Sequence, residues 1–372
     1  MPFAGAPAFR MICVGVQALE LDELRKQIDE TDRKILELLN RRASLALEVG
    51  KLKGDLEMPH FAPAREAKVL DRLNAVNSGP LEPKHISAIY REIMSACRDL
   101  QQPTKVAYWG PPASHSHTAV IEKFGASVEP VPVDSIADVF DCVEKRQADY
   151  GVVPAENSTE GVIPYTLDLF TESDLKICGE VYLAISQHLL SRCTKLEDVK
   201  RLYVSPQPYA QCRRWIIDNL PHAELVEVAT TSRAALACVE DSEGAAVAGR
   251  AASIAYDLPI LQEHIEDNPR NRTRFLIIGF NDPERSGRDK TSLLLALPHR
   301  AGALHRALSA FSSRGINMTM IQSRPTKKTP WEYLFFIDVQ GYVTDPPLAE
   351  AIEQLRHECL FVRVLGSYPE AE

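Results

Sequence analysis

Arg25, Arg42 and Lys53 fall along one stretch that otherwise reads as an apolar seam: Leu21, Leu24, Ile28, Thr31, Ile35, Leu38, Arg42, Leu45, Val49 and Leu52. An arginine at a seam position is costly to bury unless it is paired. Two readings of Arg42 follow. Its guanidinium reaches solvent or an acid on a facing helix, or it receives an anionic ligand inside a helical bundle. Arg25 lies about five turns before Arg42 and Lys53 about three turns after it. Together the three cations could line an anion site, particularly if a dimer sets the start of one helix beside the middle of another.

A second group of residues suits hydrogen bonding to a small polar ligand. Asn157, Ser158 and Thr159 stand together in Gly151-Val-Val-Pro-Ala-Glu-Asn-Ser-Thr-Glu-Gly161, and Asn268-Pro-Arg-Asn-Arg-Thr-Arg-Phe275 carries Thr273 and Arg274. Ser114 and Ser116 lie in Gly110-Pro-Pro-Ala-Ser-His-Ser-His117, and Gln211 lies in Ser205-Pro-Gln-Pro-Tyr-Ala-Gln-Cys212. Singly, such residues are the ordinary material of caps and turns.

The elements that must position these groups divide the chain in three. Steps alternating between three and four residues over 21–53 predict one long helix, roughly 50 Å at about 1.5 Å per residue. Pro63 opens a second helix, and Pro83 opens a third with Ile86, Ile89, Tyr90, Ile93, Cys97 and Leu100 at helical spacing. So small a helical set leaves too little core for a monomer, which argues an intertwined dimer. Residues 1–18 read as a tail and 19–102 as the helical domain. Over 104–280, strand-like runs alternate with helical ones, which predicts an α/β domain with a largely parallel sheet and a ligand cleft at the strand ends. A polar linker, Asp282–Lys290, leads to a βαββαβ order over 290–368, a ferredoxin-like α+β sandwich.

The 372 residues carry a formal net charge of -9, with 45% hydrophobic and 25% charged residues. That balance disfavours non-specific nucleic-acid or anionic-membrane binding. No apolar run is long enough to span a bilayer. Eight scattered cysteines without a CxxC pair point to a reducing cytoplasm, with no metal site. No secretory leader is expected.

Leu24-Arg25, Arg41-Arg42, Glu48-Val49-Gly50-Lys51-Leu52-Lys53 and Arg65-Glu66 resemble the all-helical chorismate mutase family over residues 21–102. The resemblance implies a cofactor-free rearrangement of chorismate to prephenate. By position, Arg25, acting across the dimer, and Arg42 hold carboxylates. Lys53 and Gln101 donate to the ether oxygen, Glu66 takes the substrate hydroxyl, and Arg65 supports the site. Ala62 stands where some relatives have aspartate, and Cys97 where they have serine on the substrate side.

The four loop texts resemble prephenate dehydratase along 104–280. That family has two α/β lobes similar to periplasmic binding proteins, the second about 181–264 here. It converts prephenate to phenylpyruvate with loss of carbon dioxide and water. The resemblance assigns Thr273 to the departing hydroxyl and makes Asn157 and Gln211 further polar donors. Ser114, Ser116, Ser158, Thr159 and Arg274 are substrate-binding candidates, although Arg274 serves equally as a salt bridge joining the lobes. Val204-Ser205 stands where relatives have Ser-His, Ala113 replaces a loop glycine, and His115 replaces an aromatic residue.

Gly302-Ala-Leu304 and Gln322-Ser-Arg-Pro325 look like the amino-acid-binding ACT domain, which implies feedback inhibition by phenylalanine at Gly302, Ala303, Leu304, Ser323 and Arg324. Relatives have glutamate at Gln322. The combined expectation is a homodimeric or larger cytoplasmic enzyme that makes and consumes prephenate. The alternatives are a non-catalytic sensor of aromatic metabolites, or a mutase fused to a relative that decarboxylates prephenate without aromatising it.

Overall fold

The computed structural model describes residues 7–55, 59, 61–325 and 333–371, with side chains described from residue 20 and excluding that of residue 55. Residues 1–6 of the expected tail, Met58 and His60 of the expected turn, and Trp331 of the expected strand start lie outside the described residues.

Two compact units divide the chain, one of residues 1–60 with 100–102 and the other of residues 61–99 with 103–372. In the first unit, helix α1 (Pro7–Asp55) runs for 49 residues. It starts well before the helix expected at 21, so part of the expected tail is helical. Pro7 takes the first helical position, where its missing N–H is not needed. The heptad seam lies open on the single chain: Leu24, Ile28, Leu38 and Leu52 keep 57%, 58%, 64% and 62% of their exposure.

In the second unit, α2 (Pro63–Val76) opens on Pro63; α3 (Pro83–Gln101) spans the length expected of it and belongs to this unit as far as Asp99. Its buried face is Ile86, Met94, Ser95, Cys97 and Arg98, whereas Ile89 and Leu100 are exposed. The compact unit therefore ignores the domain boundary expected at 102. Its physical basis is contact with the α/β part. Arg91 forms a two-pronged ion pair with Glu122 at 3.1 and 2.7 Å, and Ser95 Oγ accepts from the Ser127 N–H at 3.1 Å. Phe61 packs on Phe124 and Tyr150, with ring centroids 4.6 and 5.2 Å apart.

The first lobe comprises β1 (Lys105–Trp109), α4 (His115–Phe124), β2 (Glu129–Val133), α5 (Ile136–Glu144), β3 (Tyr150–Asn157), β4 (Gly161–Val162), α6 (Pro164–Phe170) and β5 (Lys176–Ala184). The second comprises β6 (His188–Ser191), β7 (Arg201–Val204), α7 (Pro206–Asn219), β8 (Glu224–Glu227), α8 (Thr231–Val239), β9 (Gly244–Ala248), α9 (Arg250–Tyr256) and β10 (Ile260–Gln262). The chain then returns to the first lobe as β11 (Arg272–Gly279).

The first sheet has the order β2-β1-β3-β11-β5, with β4 on β3, and the second has the order β10-β6-β9-β7-β8. Both are mixed rather than largely parallel. The β1 pairings are parallel, but β11 runs antiparallel to β3 and β5, and β6 runs antiparallel to β9 and β10. Since β5 belongs to the first sheet, the inserted lobe begins at β6 rather than at 181. Asn157 ends β3, and Thr273 stands within β11 rather than in a loop before it.

The last part is β12 (Asp289–Ala296), α10 (Ala303–Ser312), β13 (Met318–Pro325), β14 (Tyr333–Gln340), α11 (Pro346–Glu358) and β15 (Phe361–Pro369). Its antiparallel sheet, β13-β14-β12-β15, is the expected ferredoxin-like sandwich. It shares a core with the first lobe, in which Ile177, Leu276 and Ile278 pack with Leu294, Phe336 and Leu365. Gly366 makes the closest approach: a Cβ there would fall 2.1 Å from the Ile177 carbonyl oxygen. Lys290, expected in the linker, is instead a buried residue of β12.

Candidate functional site

The mutase candidates fall in both units. In the first, Arg25 pairs with Asp22 at 3.4 Å in an exposed position. Lys53 Nζ donates to the Pro59 carbonyl at 2.9 Å. Gly50 is needed where it stands, since a Cβ there would meet Gln101 Cγ at 2.6 Å. The helix also sets distances that side chains cannot overcome. Arg25 and Arg42 are separated by about 26 Å of axis, and Arg42 and Lys53 by about 17 Å. In the second unit, Arg65 is exposed and Cys97 is buried. Glu66 is held by Arg98, whose guanidinium also donates to the Phe124 carbonyl and lies over the Phe61 ring. Arg98 is not among the residues expected from the sequence. The available signal was a cation next to Cys97 on the apolar side of α3.

The dehydratase candidates converge. The β3–β11 register places Thr273 opposite Asn157, and both side chains are buried. Asn157 Nδ2 donates to Thr273 Oγ1 and to Asn271 Oδ1, each at 2.9 Å. Asn157 Oδ1 accepts from the Thr159 and Glu160 backbone N–H groups at 2.9 and 3.1 Å. One amide thus folds the loop and orients the threonine. Since Thr273 Oγ1 accepts from Asn157, its own proton is available to donate. Ser158 Oγ accepts from the Arg272 N–H at 2.9 Å, and Thr159 Oγ1 donates to Asn271 Oδ1 at 3.4 Å. Asn271 therefore joins the site. It stands in the Asn268–Phe275 stretch but is not among the residues expected there.

Gln211 comes from the other lobe. Its Nε2 reaches Glu160 Oε1 at 3.4 Å, and its Oε1 accepts from Gln187 Nε2 at 3.2 Å. Gln207 Nε2 donates to both Glu160 oxygens at 2.9 and 2.8 Å. Glu160 thus bridges the lobes at the cleft. Gln187, also missed, is buried with Oε1 lacking a hydrogen-bond partner.

Ser114 is the N-cap of α4 and accepts from the His117 N–H, while Ser116 is buried within that helix. Before them, Ala113 has φ 66°, a left-handed conformation that favours glycine. Ser205 takes the N-cap position of α7 without a side-chain capping bond. Burial lowers the His115, His117 and His188 pKa values below the ordinary imidazole range.

Two expected ligand residues are engaged elsewhere. Arg274 does not face the cleft residues around Thr273. It is buried and donates to Glu180, Asp338 and Tyr368 at 2.7, 2.6 and 2.9 Å. The strand pleat is the reason, because consecutive residues point to opposite faces of a sheet. Of the expected effector residues, Arg324 pairs with Asp168 of α6 through two contacts of 2.9 Å. Ser323 lies beside it on the edge strand β13. Gly302 caps α10 at φ 76°, and Ala303 and Leu304 begin that helix. Among the described residues, no group of three or more His, Cys, Asp or Glu could hold a metal ion. No described helix is long and apolar enough to cross a membrane.

These features define a three-part protein: a helical module, a two-lobed α/β cleft domain and an α+β sandwich packed on the cleft domain. Family models match in that order: chorismate mutase type II at 24–102, prephenate dehydratase at 106–283 and ACT domain at 291–357. The bifunctional chorismate mutase/prephenate dehydratase of Aquifex aeolicus is 44% identical over 95% of this chain and 98% of its own. The chain belongs to the bifunctional chorismate mutase/prephenate dehydratase family. Among solved structures, the Arthrobacter aurescens prephenate dehydratase in complex with L-Phe aligns with TM-score 0.66 and 34% identity, covering 72% of this chain and 90% of that one. GqqA, a quorum quenching acylase, aligns with TM-score 0.66 and 29% identity, over 72% of this chain and 98% of that one. Since the shared fold accompanies more than one chemistry, the family assignment rests on the full-length match.

Proposed function

We infer that the chain catalyses two consecutive reactions in phenylalanine biosynthesis: chorismate to prephenate, then prephenate to phenylpyruvate. The second is feedback-inhibited by phenylalanine at the ACT domain. The observation that carries the dehydratase reading is the buried Asn157–Thr273 hydrogen bond in the cleft. In that reaction the electrons of the breaking C–CO2 bond move through the ring and expel the C4 hydroxyl. The hydroxyl takes a proton and leaves as water. Thr273 donates to that hydroxyl, Asn157 holds Thr273 in place, and Gln211 contributes from the opposite lobe. A threonine is too weak an acid to supply the proton alone, so it relays from water.

The mutase works on a homodimer in the cytosol, without a cofactor. The open seam of α1 supports this, as does the axial distance that separates Arg25 from Lys53 on one chain. Arg25 of one copy and Arg42 and Lys53 of another hold the substrate carboxylates. Lys53 and Gln101 stabilise charge developing on the ether oxygen, and Glu66 accepts the substrate hydroxyl.

The test is product analysis of the purified chain given chorismate and prephenate separately. Phenylpyruvate from both substrates is expected. Prephenate accumulating from chorismate, with no phenylpyruvate from either, would remove the dehydratase assignment and leave the mutase. Silence with both substrates, together with binding of phenylalanine, would favour a sensor.

A further inference from the structure

Arg274 follows Thr273 on β11 and points to the opposite face of the sheet, where it enters a buried set of charges. Glu180 on β5, Arg274 on β11, Lys290 on β12 and Asp338 on β14 retain 0%, 4%, 3% and 2% of their exposure. Arg274 Nε donates to Glu180 at 2.7 Å, one terminal nitrogen to Asp338 at 2.6 Å, and the other to the Tyr368 hydroxyl of β15 at 2.9 Å. Lys290 Nζ donates to both Glu180 oxygens at 2.8 and 3.1 Å. Ser292 Oγ donates to the second Asp338 oxygen at 2.5 Å and meets Tyr368 at 2.7 Å. The two acids and two bases balance. Although burial opposes its charge, the neighbouring Tyr368, Asp338 and Glu180 hold the Arg274 guanidinium well above its ordinary pKa.

A substrate cannot reach this group by the adjoining cavity. That space, lined by Glu156, Arg274, Ser292, Asp338 and apolar neighbours, measures about 20 Å³, roughly room for a single water. Nor is stability a sufficient reason for the network, because well-packed apolar residues can replace buried ion pairs at no loss. What the network does provide is direction. It joins Glu180 on β5, Arg274 on β11, Lys290 and Ser292 on β12, Asp338 on β14 and Tyr368 on β15, and so fixes the register of the ACT sheet against β11. On β11, Thr273 pairs with Asn157 and Arg274 pairs with Glu156 in adjacent rungs. A shift of the ACT strands that moves Arg274 therefore moves Thr273 against Asn157.

We propose that Arg274 is a positioning residue for the dehydratase reaction: it sets Thr273 against Asn157, and through its ACT partners Asp338 and Tyr368 it passes the state of the ACT domain to that pair. The proposal rests on the functional reading above. Its test compares the full-length wild type with Asp338→Asn and Tyr368→Phe. Each is assayed with prephenate, with chorismate, and with prephenate plus phenylalanine. Tyr368→Phe removes the hydrogen bonds to Arg274 and Ser292 without leaving a buried charge unpaired, so it reports even where Asp338→Asn lowers folding yield.

In both variants the dehydratase kcat should fall about tenfold or more, in keeping with a small misplacement of a reacting group. KM for prephenate should change less than about twofold, and mutase turnover should stay within about twofold of wild type. The phenylalanine concentration needed for half inhibition should shift by about fivefold or more. A rise in prephenate KM with kcat retained would overturn the proposal, since it would make Arg274 a substrate ligand. Unchanged kcat and unchanged phenylalanine response in both variants would overturn it as well. Wild type that forms no phenylpyruvate would sink the functional reading and this proposal together, a result distinct from wild-type activity that the variants leave intact.

Discussion

Arg98 of α3 and Glu66 of α2 form an ion pair whose side chains retain only 7% and 21% of their exposure. Glu66 is the carboxylate proposed to take the chorismate hydroxyl, and Arg98 also bonds the Phe124 carbonyl in the dehydratase lobe. The pair thus orients this proposed substrate contact from a surface shared with the α/β domain. Arg98→Met should cost about 2 kcal/mol of stability, below the range for a fully buried pair because Glu66 can turn toward water. Mutase kcat/KM should fall about tenfold or more, while dehydratase turnover measured at low temperature stays near wild type. Unaltered mutase kinetics in the folded variant would remove Arg98 from the mutase machinery.

The axial separation on α1 makes a prediction about mixing. Arg25→Gln and Lys53→Gln should each be nearly inactive as mutases. If Arg25 acts across the dimer, co-refolding equal amounts of the two variants makes heterodimers with one intact site. Random pairing would restore about one quarter of wild-type mutase activity. No recovery on verified mixing would mean that the two cations do not meet across copies.

Histidines in the cleft domain should make stability depend on pH. His188 Nδ1 accepts from the His264 N–H at 3.2 Å, and His117 Nδ1 accepts from the Ala113 N–H at 3.3 Å. Each ring nitrogen must be unprotonated to do so. Burial lowers both pKa values, and for His188 the nearby His264 and Arg250 push the same way. The unfolded chain therefore binds more protons between the lowered folded values and the ordinary value of about 6.5. Stability rises with pH through that window, is complete above it, and is lost as pH falls. Urea midpoints from about pH 7.5 to about pH 5.5 should decline, and His188→Asn should decline less because an amide oxygen accepts without titrating. Equal slopes would show that His188 does not contribute.

The contact at Gly366 predicts a sharp stability loss. Alanine there would place a Cβ 2.1 Å from the Ile177 carbonyl oxygen, which the backbone can relieve only by moving β15 away from β5. The Lys176 Nζ to Val364 carbonyl bond at 3.0 Å would be stretched as well. Gly366→Ala should destabilise the chain by about 3 kcal/mol in urea unfolding. Gly54→Ala is the control, since a Cβ there meets nothing within 4 Å. Equal effects from the two changes would mean that the β15–β5 approach is looser than described.

Much of the architecture is local and so could be read from the chain. Heptad spacing, prolines at helix starts and alternating strand and helix runs depend on neighbours a few residues apart. The long helix, the α/β domain and the βαββαβ sandwich were all legible in this way. The loop text around Asn157 and the Thr273 motif also marked residues that prove to be partners across β3 and β11. Pairing and burial were not legible. Whether β11 runs with or against β3, which lobe owns β5, and where the compact unit divides α3 depend on contacts between distant segments. Arg274 shows the limit most clearly. Its neighbour Thr273 and its positive charge made it a reasonable substrate ligand, but sheet pleat and the packing of β14 and β15 turned it into an internal tie. Gln187 and Asn271 carry no local signature of their roles, and Arg98 only that of a cation beside Cys97, because a buried polar group acquires its meaning only from the partner that satisfies it. Composition and spacing determined which chemistry the chain could assemble; tertiary packing decided which groups face a ligand and which hold the structure in register, because only folding sets distances between residues far apart in sequence.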